Sequence, residues 1–230
     1  MVAIFVALTF ICLVLTDLGI EKWHAWRVAH PARATSPAAK VMAQGLEALC
    51  QLPEGVHLAG QHTWLKPDPT GGLEVGVDAL IVRAVGAVRQ IVLPKVGDQV
   101  TAGQPLFRLE HDGRAIAIPS ALTGRVMAVN SRLAAQPEIL SSDPYGSGWL
   151  CYLSPTRVEE PTPTLRFGEQ AMMWLESEFV RFREFVFAQT TPDLALGITS
   201  QDGGLPTVGC LRELGPAAWS AFEANFLLRP

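Results

Sequence analysis

The chain has 230 residues, 49% hydrophobic and 17% charged, and a net charge of -4. That balance excludes a nucleic-acid binder, which meets phosphate with a basic face, and no basic stripe appears. Cys12, Cys50, Cys151 and Cys210 form no C-x-x-C pair and the histidines share no ligand spacing, which argues against a metal centre, a disulfide framework and a nucleophile–base–acid set.

Residues 2–20, VAIFVALTFICLVLTDLGI, have about the 20-residue length that crosses a bilayer. Trp23 and Trp26 follow at interface depth, with Lys22, Arg27, Arg33 and Lys40 around and after them. No positive charge precedes the apolar run. Flank charge therefore predicts a single-pass anchor over residues 1–22 in the inner (cytoplasmic) membrane, with the soluble part in the cytoplasm. A cleaved secretory signal peptide competes, through the small-residue site Ala32-Arg33-Ala34, but lacks the basic n-region. A buried soluble helix is the third reading, and a chain terminus offers it little to bury against.

Residues 23–53 read as a juxtamembrane linker, PARATSPAAK, followed by a short helix over 42–52 with Leu46, Leu49 and Cys50 on one face. Closely spaced strands are predicted over 56–58, 63–66 and 73–77, the last after the turn residues 67–72. Residues 78–85 are a short helix or an extended segment. Residues 93–148 then read as short strands stitched by tight turns at Gly97-Asp98 and Ala102-Gly103-Gln104. Between two of them, Asp112-Gly113 is the strongest short hairpin signal, because a type I′ turn needs positive φ at both central residues. Residues 125–129 make a further strand, and a proline-rich stretch over 157–164 reads as a linker.

Residues 165–230 are predicted to form an α+β extension of helix, hairpin and helix. Ala171, Leu175, Phe179, Phe182 and Val186 are spaced as one helix face, and Thr191-Pro192 ends that helix. Residues 194–200 and 205–211 flank Asp202-Gly203-Gly204 as a hairpin, and Pro216 opens a final helix carrying Trp219, Phe222 and Phe226 on one face. The broad aromatic surface of Trp174, Phe179, Phe182, Phe185 and Phe187 either packs in the core or docks a partner.

The runs LPKVGDQVTAGQPLFRLE, PSALTGRVMAVN and PEILSSDPYGSGWL, with His62-Thr63-Trp64 and Leu73-Glu74-Val75-Gly76-Val77 before them, resemble the H protein of the glycine cleavage system. The resemblance covers roughly residues 54–155 and implies a lipoyl-type barrel-sandwich hybrid. The expected architecture is therefore mainly β with flanking helices, an H-protein-like domain over 54–156, a transmembrane helix before it and the extension after it. In that family the hairpin tip presents a lipoylated lysine. The matching position here is Gly113 or Arg114, and neither side chain offers the primary amine that an amide to lipoate needs. The lysines are Lys22, Lys40, Lys66 and Lys95, all ahead of the tip. No cofactor is expected.

The tip, His111, Asp112, Gly113 and Arg114, reads as a solvated turn, with a docking contact as the sharper alternative. His62 and Trp64 read as packing and hydrogen-bonding residues rather than ligands. The function that combines these features is non-enzymatic: a membrane-anchored, non-lipoylated H-protein-like scaffold that meets other protein subunits. A periplasmic transport adaptor also joins an anchor to a lipoyl-type domain, but there a long helical hairpin separates the half-motifs, and only a tip turn separates Glu110 from Ala115. A glycine cleavage carrier is the remaining alternative, and the absent lysine removes its chemistry.

Overall fold

A computed structural model describes residues 37–156, 165–190 and 204–228. The predicted anchor at 1–22 and the linker at 157–164 lie outside them. Among the described residues no helix is long and apolar enough to cross a membrane. The chain divides into Met1–Val41 and Met42–Pro230, and helix α1 (Pro37–Cys50) spans that division. Both sheets belong to the second unit, and so do residues from 165 on.

Alternating apolar residues build the strands. β1 (His57–Leu58), β2 (Thr63–Pro67), β3 (Leu73–Val77) and the helix α2 (Ala79–Val85) come first. β4 (Gln90–Val92), β5 (Gln99–Val100), β6 (Pro105–His111), β7 (Arg114–Pro119) and β8 (Gly124–Val129) follow. Two short helices, α3 (Arg132–Ala135) and α4 (Ile139–Ser142), lead to β9 (Cys151–Pro155) and β10 (Arg166–Phe167). Among the described residues one sheet has the order β10-β1-β2-β3-β9-β8-β5 and the other β4-β6-β7. One face of the larger sheet buries Leu65, Val75, Val126 and Leu153, the smaller sheet buries Leu109, Ile116 and Ile118, and Trp64, next to Leu65 in β2, is buried on the opposite face. Gly76 is required where it stands, since a Cβ there would meet the Trp64 ring at 2.4 Å.

Helix α5 (Gly168–Gln189) buries Ala171, Leu175, Phe179, Phe182 and Val186, the seam its spacing predicts. It ends at Gln189, and Thr190 is already extended, at φ −108° and ψ 146°. The predicted second strand at 205–211 is corrected: a turn leads into the 3₁₀ turn Cys210–Arg212. Gly209 takes φ +78° there, and its N–H donates to the Arg83 carbonyl at 2.7 Å, so this segment binds the C-terminal end of α2; Pro206 alone keeps a β-bridge. Residues 194–200, the other predicted strand, lie outside the described residues. Pro216 opens α6 (Pro216–Phe222), which runs into the π-type turn Glu223–Leu227. Trp219, Phe222 and Phe226 are buried as predicted.

Most of the aromatic surface packs into the core. Phe182 meets Phe222 and Phe226 at 5.6 and 5.9 Å, and Phe185 meets the same two rings at 6.1 and 5.6 Å. Phe179 is fully buried, while Trp174 and Phe185 are half-buried against the core. The chain's own C-terminal residues thus cover Phe182 and Phe185, Trp174 packs on His62 and Arg166 instead, and Phe187 stays 40% exposed.

Candidate functional site

The β6–β7 turn pairs His111 with Arg114, leaving Asp112 at φ +46° and Gly113 at φ +77°. Those are the two positive φ values of a type I′ turn. Gly113 faces open space: nothing lies within 4 Å of where its Cβ would be. Arg114 does not. Its Nη1 donates to the Leu214 carbonyl at 2.8 Å and reaches the Arg212 carbonyl at 3.5 Å, and its guanidinium sits 5.8 Å from the Trp219 ring centre.

The rest of the tip is tied down as well. His111 is buried, with Nε2 3.1 Å from Asp112 Oδ2 and 3.5 Å from Arg212 Nη1. Arg89 Nε lies 3.3 Å from Asp112 Oδ1, a pair too exposed to contribute more than about 1 kcal/mol. Further along, the Ala117 N–H of edge strand β7 donates to Glu223 Oε1 at 2.8 Å, which satisfies a group an open edge would leave free. The tip is therefore clasped on one flank by the C-terminal segment.

A second constellation lies where the familiar motifs meet. His62 closes the turn before β2 in the left-handed region, at φ +58°, and is fully buried. Its Nδ1 is 2.7 Å from Asp78 Oδ2 and its Nε2 3.4 Å from Glu178 Oε2 on α5. Asp78 also caps α2, its Oδ1 accepting from the Leu80 and Ile81 N–H groups. The Ala79 N–H donates to the Tyr145 hydroxyl at 3.0 Å, and Trp64 Nε1 donates to the Pro144 carbonyl at 2.9 Å. Asp143 holds that loop by accepting from Ser147 N at 2.7 Å. His-Thr-Trp and Asp-Pro-Tyr-Gly are thus two halves of one hydrogen-bonded junction.

Burial alone pushes the His62 imidazole down, but the charge and hydrogen bond of Asp78, then Glu178, outweigh it and lift the group to about 9. Glu178 stands on the same face of α5 as that seam, seven residues after Ala171 and four before Phe182, so its signal in the sequence is a carboxylate at an apolar-face position. The partner it meets there is visible only in three dimensions.

Nothing at either place supplies a nucleophile. Cys50, Cys151 and Cys210 are buried free thiols, each pushed up to about 12 by loss of solvation, and the thiolate is the reactive form. Iodoacetamide at pH 8 is expected to leave all three unmodified in the folded chain and to alkylate them after denaturation. Rapid alkylation of any one before unfolding contradicts this reading. Among the described residues no cluster of three or more His, Cys, Asp or Glu is placed to hold a metal ion.

A family model for the glycine cleavage H-protein matches residues 56–178. The match runs past the expected limit of 155, across the proline-rich stretch and into α5. The glycine cleavage system H protein of Mycobacterium avium is 32% identical over 102 residues, 44% of this chain and 77% of the relative. That of Hydrogenovibrio crunogenus is 34% identical over 109 residues, 47% and 84% respectively. The crystal structure of a glycine cleavage system H protein from Mycobacterium marinum aligns at a TM-score of 0.47 and 27% identity, over 54% of this chain and 98% of that one.

Proposed function

The chain belongs to the glycine cleavage H-protein family, and from that premise we propose that it is a non-lipoylated, membrane-anchored H-type domain acting as a structural adaptor within a membrane-associated complex. The observation that carries the proposal is the hairpin tip. Lipoylation joins the lipoate carboxyl to a lysine Nζ, and the tip offers Gly113, with no side chain, and Arg114, whose guanidinium is permanently protonated and engaged with two backbone carbonyls. The residues present do not fit the lipoyl group, and no carrier step is derived through it.

Two further features support a scaffold. The tip is clasped rather than free to swing, and the described thiols are held in their unreactive form. The apolar run at 2–20, with its aromatic and basic flank, supports attachment to the inner membrane with this domain on the cytoplasmic side. The partners are then other subunits of the complex.

The test is the intact mass of the protein extracted in mild detergent from its native membrane, with co-purifying proteins identified from the same preparation. The expected result is an unmodified mass and a retained set of membrane-complex subunits. As a second arm, purified chain is incubated with lipoate, ATP and a lipoate ligase: the native sequence should gain no mass, while Gly113→Lys, whose side chain projects into open space, should gain one lipoyl group. A lipoyl-sized increase on the native sequence would restore the carrier reading.

A further inference from the structure

His62 is a buried ring with a carboxylate on each side. Asp78 Oδ2 stands 2.7 Å from Nδ1 and Glu178 Oε2 3.4 Å from Nε2. A neutral imidazole carries one N–H, so it would turn a lone pair toward one of these carboxylates in a place water does not reach. The imidazolium carries two and can face both.

Glu178 is shared in turn with Arg181, whose Nη2 lies 2.7 Å from Glu178 Oε2. The same Nη2 donates to the Asn225 carbonyl at 3.0 Å, and the guanidinium stacks 4.4 Å over the Phe226 ring. One line of contacts thus runs from the turn before β2, through the N-terminus of α2 and the middle of α5, to the C-terminal turn. Counted as ions, His62 and Arg181 balance Asp78 and Glu178.

We infer that protonated His62 is a latch: it holds α5, and through Arg181 the C-terminal turn, against the sheets, and losing its proton loosens that layer. The other groups around the ring do not confuse this. Trp174 at 5.1 Å and Phe226 at 6.0 Å are its aromatic neighbours, and Arg166, over Trp174 at 4.7 Å, and Arg181 stay charged. Cys50 and Tyr145, both near Asp78, are pushed upward first by burial, so they stay neutral while His62 titrates.

The direction follows from linkage. The folded-state value is raised above the 6.5 of a free imidazole to about 9. The latch's contribution is therefore complete below pH 6.5 and declines as pH rises through about 9. Because Arg181 also ties to the segment that clasps the hairpin tip, loosening reaches that clasp too.

The experiment is hydrogen exchange on the full chain at pH 6.5 and 9.5, with rates normalised to those of an unstructured peptide. Protection over residues 168–189 and 216–227 is expected to fall by at least about tenfold at the higher pH, while the centre of β8–β9 holds. Glu178→Gln, which keeps the side-chain shape and removes one carboxylate, should shrink that fall. An unchanged fall in Glu178→Gln, or equal protection at both pH values in the native sequence, overturns the latch. An NMR titration of the native chain decides independently: His62 protonated at pH 7.5 supports it, and His62 neutral there overturns it.

Discussion

Asp78→Ala is expected to lower the stability of the folded chain at pH 7 by about 3–5 kcal/mol, the usual result of stripping one partner from a buried ion pair. Asp78 is fully buried and does two jobs with its two oxygens: Oδ2 faces His62, and Oδ1 caps α2. Alanine abandons both, leaving a buried imidazolium with Glu178 as its remaining carboxylate and two helix N–H groups without an acceptor. Helix capping by itself accounts for about 1 kcal/mol. Asp78→Asn separates the jobs, since its amide oxygen can still cap while the charge is gone, and it should fall between the native chain and the alanine variant. Urea unfolding measures all three, and a melting temperature lowered by roughly 10 °C is expected for the alanine variant. A loss below about 1 kcal/mol, or identical values for alanine and asparagine, means the carboxylate's charge does not hold this junction.

How much of this could be read from the sequence divides along the range of the interactions. The type I′ turn at Asp112-Gly113, the strand at Leu73–Val77 and the α5 seam rest on neighbours in sequence, and each forms where its local chemistry puts it. The readings that stop short are set by distant partners. Residues 205–211 carry enough alternation to suggest a strand. Yet Arg83 Nε takes the Pro206 carbonyl at 2.8 Å, and a Cβ on Gly86 would meet Gly209 Cα at 2.6 Å, so close approach to α2 decides their shape. Pro155, Pro161 and Pro163 suggest the end of the familiar domain, but the family match continues to residue 178. It includes Glu178, which periodicity places as a lone carboxylate on the apolar face of α5, while its partner, an imidazole more than a hundred positions earlier, is beyond the reach of any local pattern.

The same distinction governs the C-terminal segment, where a single ring carries much of the attachment. Phe222→Ala is expected to destabilise the chain by about 3–5 kcal/mol. Phe222 is fully buried, stacked at 4.8 Å on Phe226 and edge-on to Phe182 at 5.6 Å and Phe185 at 6.1 Å. Removing it forfeits the transfer energy of a whole aromatic side chain and opens a void between two helices that backbone hydrogen bonds keep from collapsing. The loss should be local as well as large. The residue after Phe222 is Glu223, which accepts the Ala117 N–H at 2.8 Å, and the loop before α6 supplies the Leu214 carbonyl that Arg114 grips. Hydrogen exchange in the Phe222→Ala chain should therefore rise at residues 211–227 and at 114–117 together, while β8 and β9 keep their protection. If 114–117 stays protected while 211–227 opens, the hairpin tip is rigid by its own turn, and the clasp contributes nothing to it. If both open, the C-terminal segment immobilises the hairpin tip, and Arg114, through the Leu214 carbonyl, is its anchoring residue.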